Sequence, residues 1–420
     1  MNIKYYYLNN RNLSDKQKRR INMSLIDRLL AKDKKGLYNQ ARGTIFYETG
    51  VTTLDYRNST FKFVYDENNN VVEAQRMLGI QDGSINVFAG EPGTGKTTLV
   101  EEIAYNIVKP FEDGMVIHID IEESSDMDRI KDITGMPACD IGRKYRLIQE
   151  RLFIEEVMER IKDVRDIKLE NRKEFEYDTG IKDSLGKPII LLEPTVIILD
   201  SLKMLNVGDT KKTDEMEGQT AGGRKAMAIT QFMEKSTPMC KEANIILLII
   251  NHVKDDMSIG FNAQKSQLVG MKGNKKVLTG GKAARYLPSN VFYLDVAGKY
   301  NVEENGFDGT LVNLILWKTR SNFAGKISPL VFNYQTGFNH VMAMYQILID
   351  NQMVTGRNPK KYISSVPEVV FDDRILLSEL ERPDVKDAIL KAAKPIMESW
   401  TSSKTARELA KINDQDYEGE

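Results

Sequence analysis

The stretch INVFAGEPGTGKTTLV, Ile85 to Val100, decides the fold, because a short apolar run leads into a glycine-rich loop and then into a helical segment. The loop has the spacing of a P-loop, in the required setting between a strand and a helix. Glycines let backbone N–H groups curl around phosphate oxygens at a helix N-terminus, where the helix dipole favours anions. The stretch therefore predicts a nucleoside triphosphate site. Its predicted nucleotide-binding residues are Gly90, Glu91, Pro92, Gly93, Thr94, Gly95, Lys96, Thr97 and Thr98.

Two side chains of this loop, and one acid further along the chain, have predicted tasks of their own. Lys96 is expected to reach the β- and γ-phosphates as a catalytic cation, and the Thr97 hydroxyl to ligate Mg²⁺. Asp200 ends the apolar run TVIILD and is expected to hold the magnesium ion through water. The alternative for Asp200 is a helix cap without contact to a metal.

The chain around the loop alternates apolar strands with helical or loop segments from about residue 45 to residue 340. This alternation predicts an α/β fold in which helices flank a mostly parallel, twisted sheet. The last strands, close together around GKYNVEENGFDG, are predicted to form an antiparallel extension. The predicted strands are INVFAG, MVIHIDIE, PTVIILD, NIILLIINH, NVFYLDV, LVNLILWKT and PLVFNY.

Two further polar residues end predicted strands and are candidates for catalysis. Glu122, at the end of MVIHIDIE, is expected to orient the attacking water; otherwise it is a solvated loop acid beside Glu123. His252 ends NIILLIINH, and the chain has only three histidines. It is expected to contact the γ-phosphate; otherwise it is a boundary residue of a buried strand.

These motifs, in this order, resemble the RecA family of recombinases. The glutamate of Asp120-Ile121-Glu122 matches the family's catalytic acid, ILDSLKML resembles its magnesium-acid strand, and IINH its sensor strand, with histidine for the usual glutamine. LTGGKAARYLPSNVFYLD resembles the hinge that ends a DNA-binding loop, and ETGVTTLDYRN the approach to the P-loop. Within the family, the likeness is closest to the bacteriophage UvsX-type recombinases, including RPDVKDAILKAA near the C-terminus.

The resemblance carries expectations for particular residues. LWKTRSNFAGK is similar to a strand whose two basic residues, here Lys318 and Arg320, reach a neighbouring subunit's ATP. Asp126 matches an adenine-contacting aspartate, whereas Arg129 departs from the family by replacing a base-stacking tyrosine.

The function that the resemblance implies is an ATP-dependent DNA recombinase, a DNA-stimulated ATPase. It would form helical filaments on single-stranded DNA, with ATP and Mg²⁺ between protomers, and exchange strands with a homologous duplex in recombination and repair. Single-strand-binding and mediator proteins would be further partners. The alternatives are a hexameric replicative helicase and a RadA- or KaiC-like accessory ATPase. A helicase would need a larger helical N-terminal domain, and RadA-type proteins carry a four-cysteine zinc module.

Two segments are predicted to contact DNA. Residues 253–282 form a long loop that is rich in glycine and lysine and has no acid after Asp256, which suits phosphate contacts without sequence preference. The second segment follows Asp200 and ends in a Gly-Gly-Arg-Lys run predicted to start a helix. The alternative is a solvated loop in each case. The predicted DNA-binding residues are Arg224, Lys225, Lys265, Lys272, Lys275, Lys276, Gly280 and Gly281.

Three parts are predicted along the chain. Residues 1–45 contain an amphipathic basic helix, with eight Lys or Arg against two Asp over residues 16–35. This helix is either a solvated face or an oligomerisation arm. Residues 46–340 form the ATPase core, with an insertion at about 160–193 that contains a surface hairpin. Residues 341–420 form a small C-terminal domain with a polar tail.

Bulk composition excludes several classes of protein. The 420 residues are 41% apolar and 28% charged, as in ordinary globular proteins, and no run is long enough to span a membrane. Two cysteines, Cys139 and Cys240, predict neither a disulfide framework nor a zinc site, and hence a cytoplasmic protein. A net charge of -1 neither favours nor excludes nucleic acid as a partner.

Overall fold

The computed structural model describes residues 43–68, 70–207, 219–255, 276–280, 283–302 and 307–401. All elements given below lie in the unit that begins at Thr44. The predicted N-terminal basic helix and the polar tail lie outside the described residues. Within the described ranges, no helix is both long and apolar enough to cross a membrane.

The strands and helices follow in chain order. The strands are Phe46–Tyr47 (β1), Thr60–Tyr65 (β2), Val71–Met77 (β3), Ile80–Gln81 (β4), Ile85–Gly90 (β5), Met115–Asp120 (β6), Tyr145–Ile148 (β7), Glu176–Lys182 (β8), Pro188–Leu192 (β9), Thr195–Asp200 (β10), Ile245–Asp255 (β11), Lys276–Leu278 (β12), Asn290–Val302 (β13), Phe307–Lys318 (β14), Ile327–Asn333 (β15), Gly337–Phe338 (β16), Val354–Thr355 (β17), Lys360–Ile363 (β18) and Val366–Asp372 (β19). The helices are Thr52–Arg57 (α1), Lys96–Val108 (α2), Met127–Thr134 (α3), Ile154–Glu170 (α4), Arg172–Phe175 (α5), Gln219–Ala243 (α6), Ala283–Tyr286 (α7), His340–Asp350 (α8), Leu376–Glu379 (α9) and Pro383–Glu398 (α10).

A ten-stranded sheet organises the core, in the order β16-β15-β14-β13-β5-β11-β10-β6-β7, with β12 beside β11. The six strands from β13 to β7 run parallel to their neighbours in this order. Strands β14, β15 and β16 add an antiparallel extension. The predicted α/β class is therefore confirmed, and each of the seven predicted strands is present. The edge strands β7 and β16 were not predicted.

Apolar side chains cover both faces of this sheet. Strands β5 and β10 are buried along their whole length, which explains why their sequences do not alternate between apolar and polar residues. On one face, Leu99 and Ile103 of α2 belong to the core; on the other face, Ile161 of α4 and Phe232 of α6 do. The P-loop helix thus rests on a packed sheet that fixes the position of its N-terminus.

The predicted insertion divides into two parts in the structure. Helix α4 packs in the main core, so residues 154–170 are part of the α/β arrangement itself. The remaining part is the α5 turn and the β8–β9 hairpin. Ile189 and Leu191 of this hairpin are buried in the core, so only its outer face is a surface.

The segment after β16 forms its own apolar cluster. Helices α8 and α10 and the three-stranded sheet β17-β18-β19 surround residues such as Ile347, Phe371 and Ile389. Val331 of β15 also belongs to this cluster and joins it to the core sheet. The small sheet of this region was not predicted from the sequence.

Candidate active site

The strand register brings the predicted site residues to one edge of the sheet. Gly90 at the end of β5 lies opposite His252 on β11. Asp200 at the end of β10 lies opposite Asp120 at the end of β6, two residues before Glu122. Because carboxyl ends of neighbouring parallel strands meet at one edge, residues far apart in sequence become neighbours. Of these, Glu122, Asp200 and His252 line a pocket of about 260 Å³ together with P-loop residues.

The P-loop holds its lysine in place by internal hydrogen bonds. Lys96 Nζ donates to the main-chain oxygen of Glu91 at 2.6 Å, and Thr94 Oγ1 donates to the same oxygen at 3.0 Å. Burial lowers the pKa of Lys96 to about 8, and the Asp200 and Glu122 carboxylates oppose that shift. The nearby carboxylates therefore help to keep Lys96 charged, as phosphate binding would require.

Gly95 directly precedes helix α2, where a side chain would be strained and tightly packed. Its φ is 79°, in the left-handed region, and a Cβ there would lie 3.0 Å from both the Phe332 and Phe338 rings. The glycine thus lets the loop turn sharply into the helix while it packs against these two rings.

Thr97 and Asp200 form the candidate magnesium site. Thr97 Oγ1 donates to Asp200 Oδ2 at 2.8 Å, across 103 positions of sequence. Burial is the main cause that raises the pKa of Asp200 to about 7; the Glu122 and Asp120 carboxylates add to this shift, and the Thr97 bond opposes it. A buried carboxylate crowded by other acids favours a cation beside it, so a hydroxyl–carboxylate oxygen pair here fits Mg²⁺.

Glu122 is held by two neighbours on adjacent strand ends. Ser201 Oγ donates to Glu122 Oε1 at 2.5 Å, and His252 Nε2 lies 3.2 Å from the same oxygen. An ionised carboxylate only accepts hydrogen bonds, so the imidazole N–H is the donor in this pair. Sequence reasoning placed Glu122 and His252 at the site, but it assigned no part to Ser201.

Asp120 fixes the loop that carries Glu122. It is fully buried, and its Oδ2 accepts from the Ser125 N–H at 2.8 Å and from Gln149 Nε2 at 3.1 Å. The loop from β6 to α3 is thereby closed on itself, which limits the positions that Glu122 can take.

The rim of the pocket contains an aromatic residue that sequence reasoning missed. The Arg129 guanidinium carbon lies 4.1 Å from the centroid of the Tyr334 ring, and Tyr334 lines the pocket directly after β15. Arg129 also donates to Thr98 Oγ1 of the P-loop at 3.4 Å. An exposed aromatic ring and a planar cation at this rim could contact a nucleobase by stacking. Asp126, the predicted adenine contact, is the N-cap of α3, and its Oδ1 accepts from the Arg129 N–H at 2.9 Å.

Lys318 and Arg320 lie away from the P-loop of their own chain. Lys318 pairs with Val291 across the β13–β14 ladder, whereas Gly90 pairs with Leu294, three residues further along β13. Lys318 Nζ donates to the Tyr286 and Pro288 carbonyl oxygens, and Arg320 Nη2 to Leu287 O at 3.1 Å. Burial and the nearby Arg320 lower the pKa of Lys318 to about 8.

The predicted loop from residue 253 begins as an ordered ladder rather than as a plain loop. Strand β11 continues to Asp255, and β12 returns antiparallel beside it. Thr279 N–H donates to His252 O at 3.2 Å, and Asn251 Nδ2 donates to Thr279 O at 2.8 Å. Gly280 follows with φ +94°, where a Cβ would lie 3.1 Å from Ile229. The end of this segment is therefore hydrogen-bonded to the main chain of His252.

The remaining predicted DNA contacts are placed only in part. Arg224 is exposed, and Lys225 Nζ donates to Lys203 O at 2.5 Å. The helix that contains both begins at Gln219, so the expectation that Gly-Gly-Arg-Lys starts a helix is wrong. Lys276 is described and contacts Glu91. Outside the described residues lie Lys265, Lys272, Lys275 and Gly281.

The fold is an α/β arrangement that carries a P-loop motif at the carboxyl edge of its sheet. No family model matches the chain. It is similar to the DNA repair protein RadA of Mycobacterium tuberculosis, 23% identical over 302 residues, which cover 70% of this chain and 53% of RadA. It is also similar to the DNA repair and recombination protein RadB of Methanosphaera stadtmanae, 30% identical over 107 residues, which cover 26% of this chain and 44% of RadB.

The chain thus spans about half the length of the curated relatives it matches. These similarities are weak, and they support the resemblance to RecA-family proteins of DNA repair and recombination at a coarse level.

Proposed function

We propose that the chain is an ATP-dependent DNA recombinase that forms filaments on single-stranded DNA and exchanges strands with a homologous duplex. The observation that carries the proposal is the common sheet edge. There the P-loop, the Thr97–Asp200 pair and the Glu122–His252 pair line one pocket, and His252 leads directly into the lysine-rich segment. Strand β11 thus connects the candidate nucleotide site with the candidate DNA-binding segment.

In this proposal the chain's own groups divide the work of ATP hydrolysis. Lys96 and the P-loop N–H groups bind the phosphates, and Thr97 and Asp200 hold Mg²⁺. The magnesium ion, when bound, neutralises charge on the β- and γ-phosphates. Glu122 orients and deprotonates the attacking water, and its hydrogen bonds to Ser201 and His252 aim its carboxylate.

His252 is the proposed link between the nucleotide and DNA. It contacts the catalytic carboxylate through its side chain and the end of the lysine-rich segment through its carbonyl oxygen. A change of the γ-phosphate that shifts the imidazole would therefore also pull on Thr279 and on Gly280 beyond it. The lysines of the loop would bind DNA phosphates without reading the sequence.

Lys318 and Arg320 are proposed to act on the ATP of a neighbouring protomer. Their position near the amino end of β13 keeps them from their own phosphates, so they need a second copy to reach a P-loop. ATP would then lie between protomers, with Arg129 and Tyr334 at the base end of the pocket. Such an arrangement makes assembly depend on ATP.

The finer points of the proposal come from the sequence resemblance. On that resemblance we propose that the chain acts like the phage UvsX-type recombinases, in the host cytoplasm and beside single-strand-binding and mediator proteins. The weak similarity to RadA favours one alternative, an accessory ATPase of DNA repair. A hexameric helicase is the other, and it would use the same ATPase edge in a closed ring.

Electron microscopy of the protein with single-stranded DNA and a non-hydrolysable ATP analogue tests the proposal. A helical filament that depends on both ligands supports a recombinase. Closed rings would favour the helicase, and discrete particles on DNA the accessory ATPase. Strand exchange between a circular single strand and a homologous linear duplex separates a recombinase from any other filament-forming ATPase. Absence of joint molecules in that assay would overturn the recombinase proposal.

A further inference from the structure

The first side chain of the P-loop contacts the first residue of the strand that returns from the lysine-rich segment. Lys276 Nζ lies 2.5 Å from Glu91 Oε1. The Lys276 side chain is only 15% exposed, whereas that of Glu91 is 55% exposed. The lysine is thus packed down on the P-loop, although the sequence predicts it to bind DNA.

The β-ladder determines where this lysine lies. Lys276 is paired with Asp255, three residues past His252, and Leu278 is paired with Val253. The return strand therefore leaves the loop at a fixed register over the end of β11, and β11 in turn is paired with β5 up to Gly90. The contact between Glu91 and Lys276 follows from this register.

Glu91 is engaged at both ends. Its main-chain oxygen accepts from Lys96, the phosphate-binding lysine, and its carboxylate accepts from Lys276. An acid at the start of a P-loop is unfavourable beside a triphosphate unless a cation neutralises it. The Lys276 ammonium supplies that neutralisation, and while it does so it is withheld from other anions.

We propose that the Glu91–Lys276 ion pair is a latch that competes with DNA for Lys276. A DNA phosphate must break this pair before it can bind the Lys276 ammonium, and breaking it frees the return strand from the P-loop. This inference rests on the proposed DNA-binding function and adds a regulatory contact to it. The P-loop then weakens DNA binding directly, because Glu91 holds Lys276. This effect is separate from any effect through His252.

The test is a double-mutant cycle on DNA affinity, measured by fluorescence anisotropy of a labelled single-stranded oligonucleotide. Nucleotide is left out, so that its own charge does not enter the comparison. Glu91→Gln is expected to tighten DNA binding about two- to five-fold, the range for a partly exposed ion pair. In a Lys276→Met background, which keeps the apolar stem, Glu91→Gln is expected to change nothing.

Glu123→Gln is the matched control, because Glu123 is an exposed acid on the same sheet edge whose ion pair is with Arg151. Its effect should be equal in both backgrounds. If Glu91→Gln tightens DNA binding equally with and without Lys276, the effect comes from the loss of a negative charge in general, and the latch is overturned. An unchanged affinity in Glu91→Gln overturns it as well. A wild-type chain that binds DNA in neither the presence nor the absence of an ATP analogue overturns the proposed function, and the latch with it.

Discussion

His252 Nε2 lies 3.2 Å from Glu122 Oε1, so a histidine near the carboxyl end of β11 and the acid that follows β6 form one hydrogen-bonded pair. The same carboxylate oxygen accepts from Ser201, which follows Asp200 of the candidate magnesium site. Residues from three neighbouring strands thus meet at the Glu122 carboxylate. The proposed nucleotide sensor and the proposed activator of water are therefore hydrogen-bonded to each other in this fold.

Replacing Glu122 with glutamine should separate binding from catalysis. The amide keeps the shape of the side chain and can still hydrogen-bond, but it cannot take a proton from water. We expect steady-state ATP turnover to fall at least ~10²-fold, the usual contribution of a positioned acid–base group. Nucleotide affinity, measured with a fluorescent ATP analogue, should remain close to that of the wild type. Glu123→Gln is the control, and near wild-type turnover in Glu122→Gln would remove Glu122 from the catalytic role.

Replacing His252 should uncouple ATP from DNA. We expect His252→Ala to bind ATP nearly normally but to lose the ATP-induced tightening of DNA binding, because the Glu122 contact and its donor are gone. His252→Gln should retain part of that tightening, because glutamine keeps an N–H donor at similar reach. The measurement is the ratio of DNA dissociation constants with and without an ATP analogue. A ratio in His252→Ala equal to that of the wild type would leave His252 a boundary residue.

The sequence predicted the site well where it depends on parallel strands. Each of Gly90, Asp200, Glu122 and His252 follows an apolar run that is buried on both faces. Because parallel strands bring their carboxyl ends to one edge, proximity could be expected without knowledge of the strand order. The register that sets His252 opposite Gly90 had to come from the structure.

Contacts outside the parallel strands left no such signal in the sequence. Tyr334 reaches the pocket only because the antiparallel β15 lies three strands away from β5 and turns back over the P-loop. From the sequence alone, Lys276 is one of several loop lysines. Its position follows from the register of the β11–β12 ladder. The hairpin β2–β3 is half-exposed and carries no strong alternation, so it was not predicted.

Lys168 provides a test of the core that is independent of function. Its ammonium nitrogen donates to Glu193 O at 2.6 Å and to Ala243 O at 3.0 Å, and burial lowers its pKa from 10.5 to about 7, against the effect of Glu193. Between these values the unfolded chain holds a proton that the folded chain lacks, so stability should rise with pH. We expect a gain on the order of 1–2 kcal/mol from pH 7 to pH 9 in denaturant unfolding, absent in Lys168→Met.

The predicted loop lysines should contribute to DNA binding through counterion release. We expect replacement of Lys272, Lys275 and Lys276 by glutamine to weaken single-strand binding across all sequences. The slope of log affinity against log salt should become shallower by about two to three units. The control replaces Lys173 and Lys187 by glutamine. Both are exposed and lie in the segment before β10, away from the carboxyl end of that strand. An unchanged slope in the triple variant would show that these lysines do not contact phosphate.

Lys318 and Arg320 allow a mixing experiment that tests action between protomers. The double variant Lys318→Ala/Arg320→Ala should bind nucleotide as a monomer but lose DNA-stimulated ATPase activity and extended filaments. Glu122→Gln should lack turnover because its own site is incomplete. If the basic residues act in trans, an equal mixture of the two inactive variants creates some complete sites, with Glu122 from one protomer and the cations from the other. Random mixing predicts about a quarter of wild-type ATPase activity. No recovery in mixed filaments, or full activity of the double variant alone, would contradict action in trans.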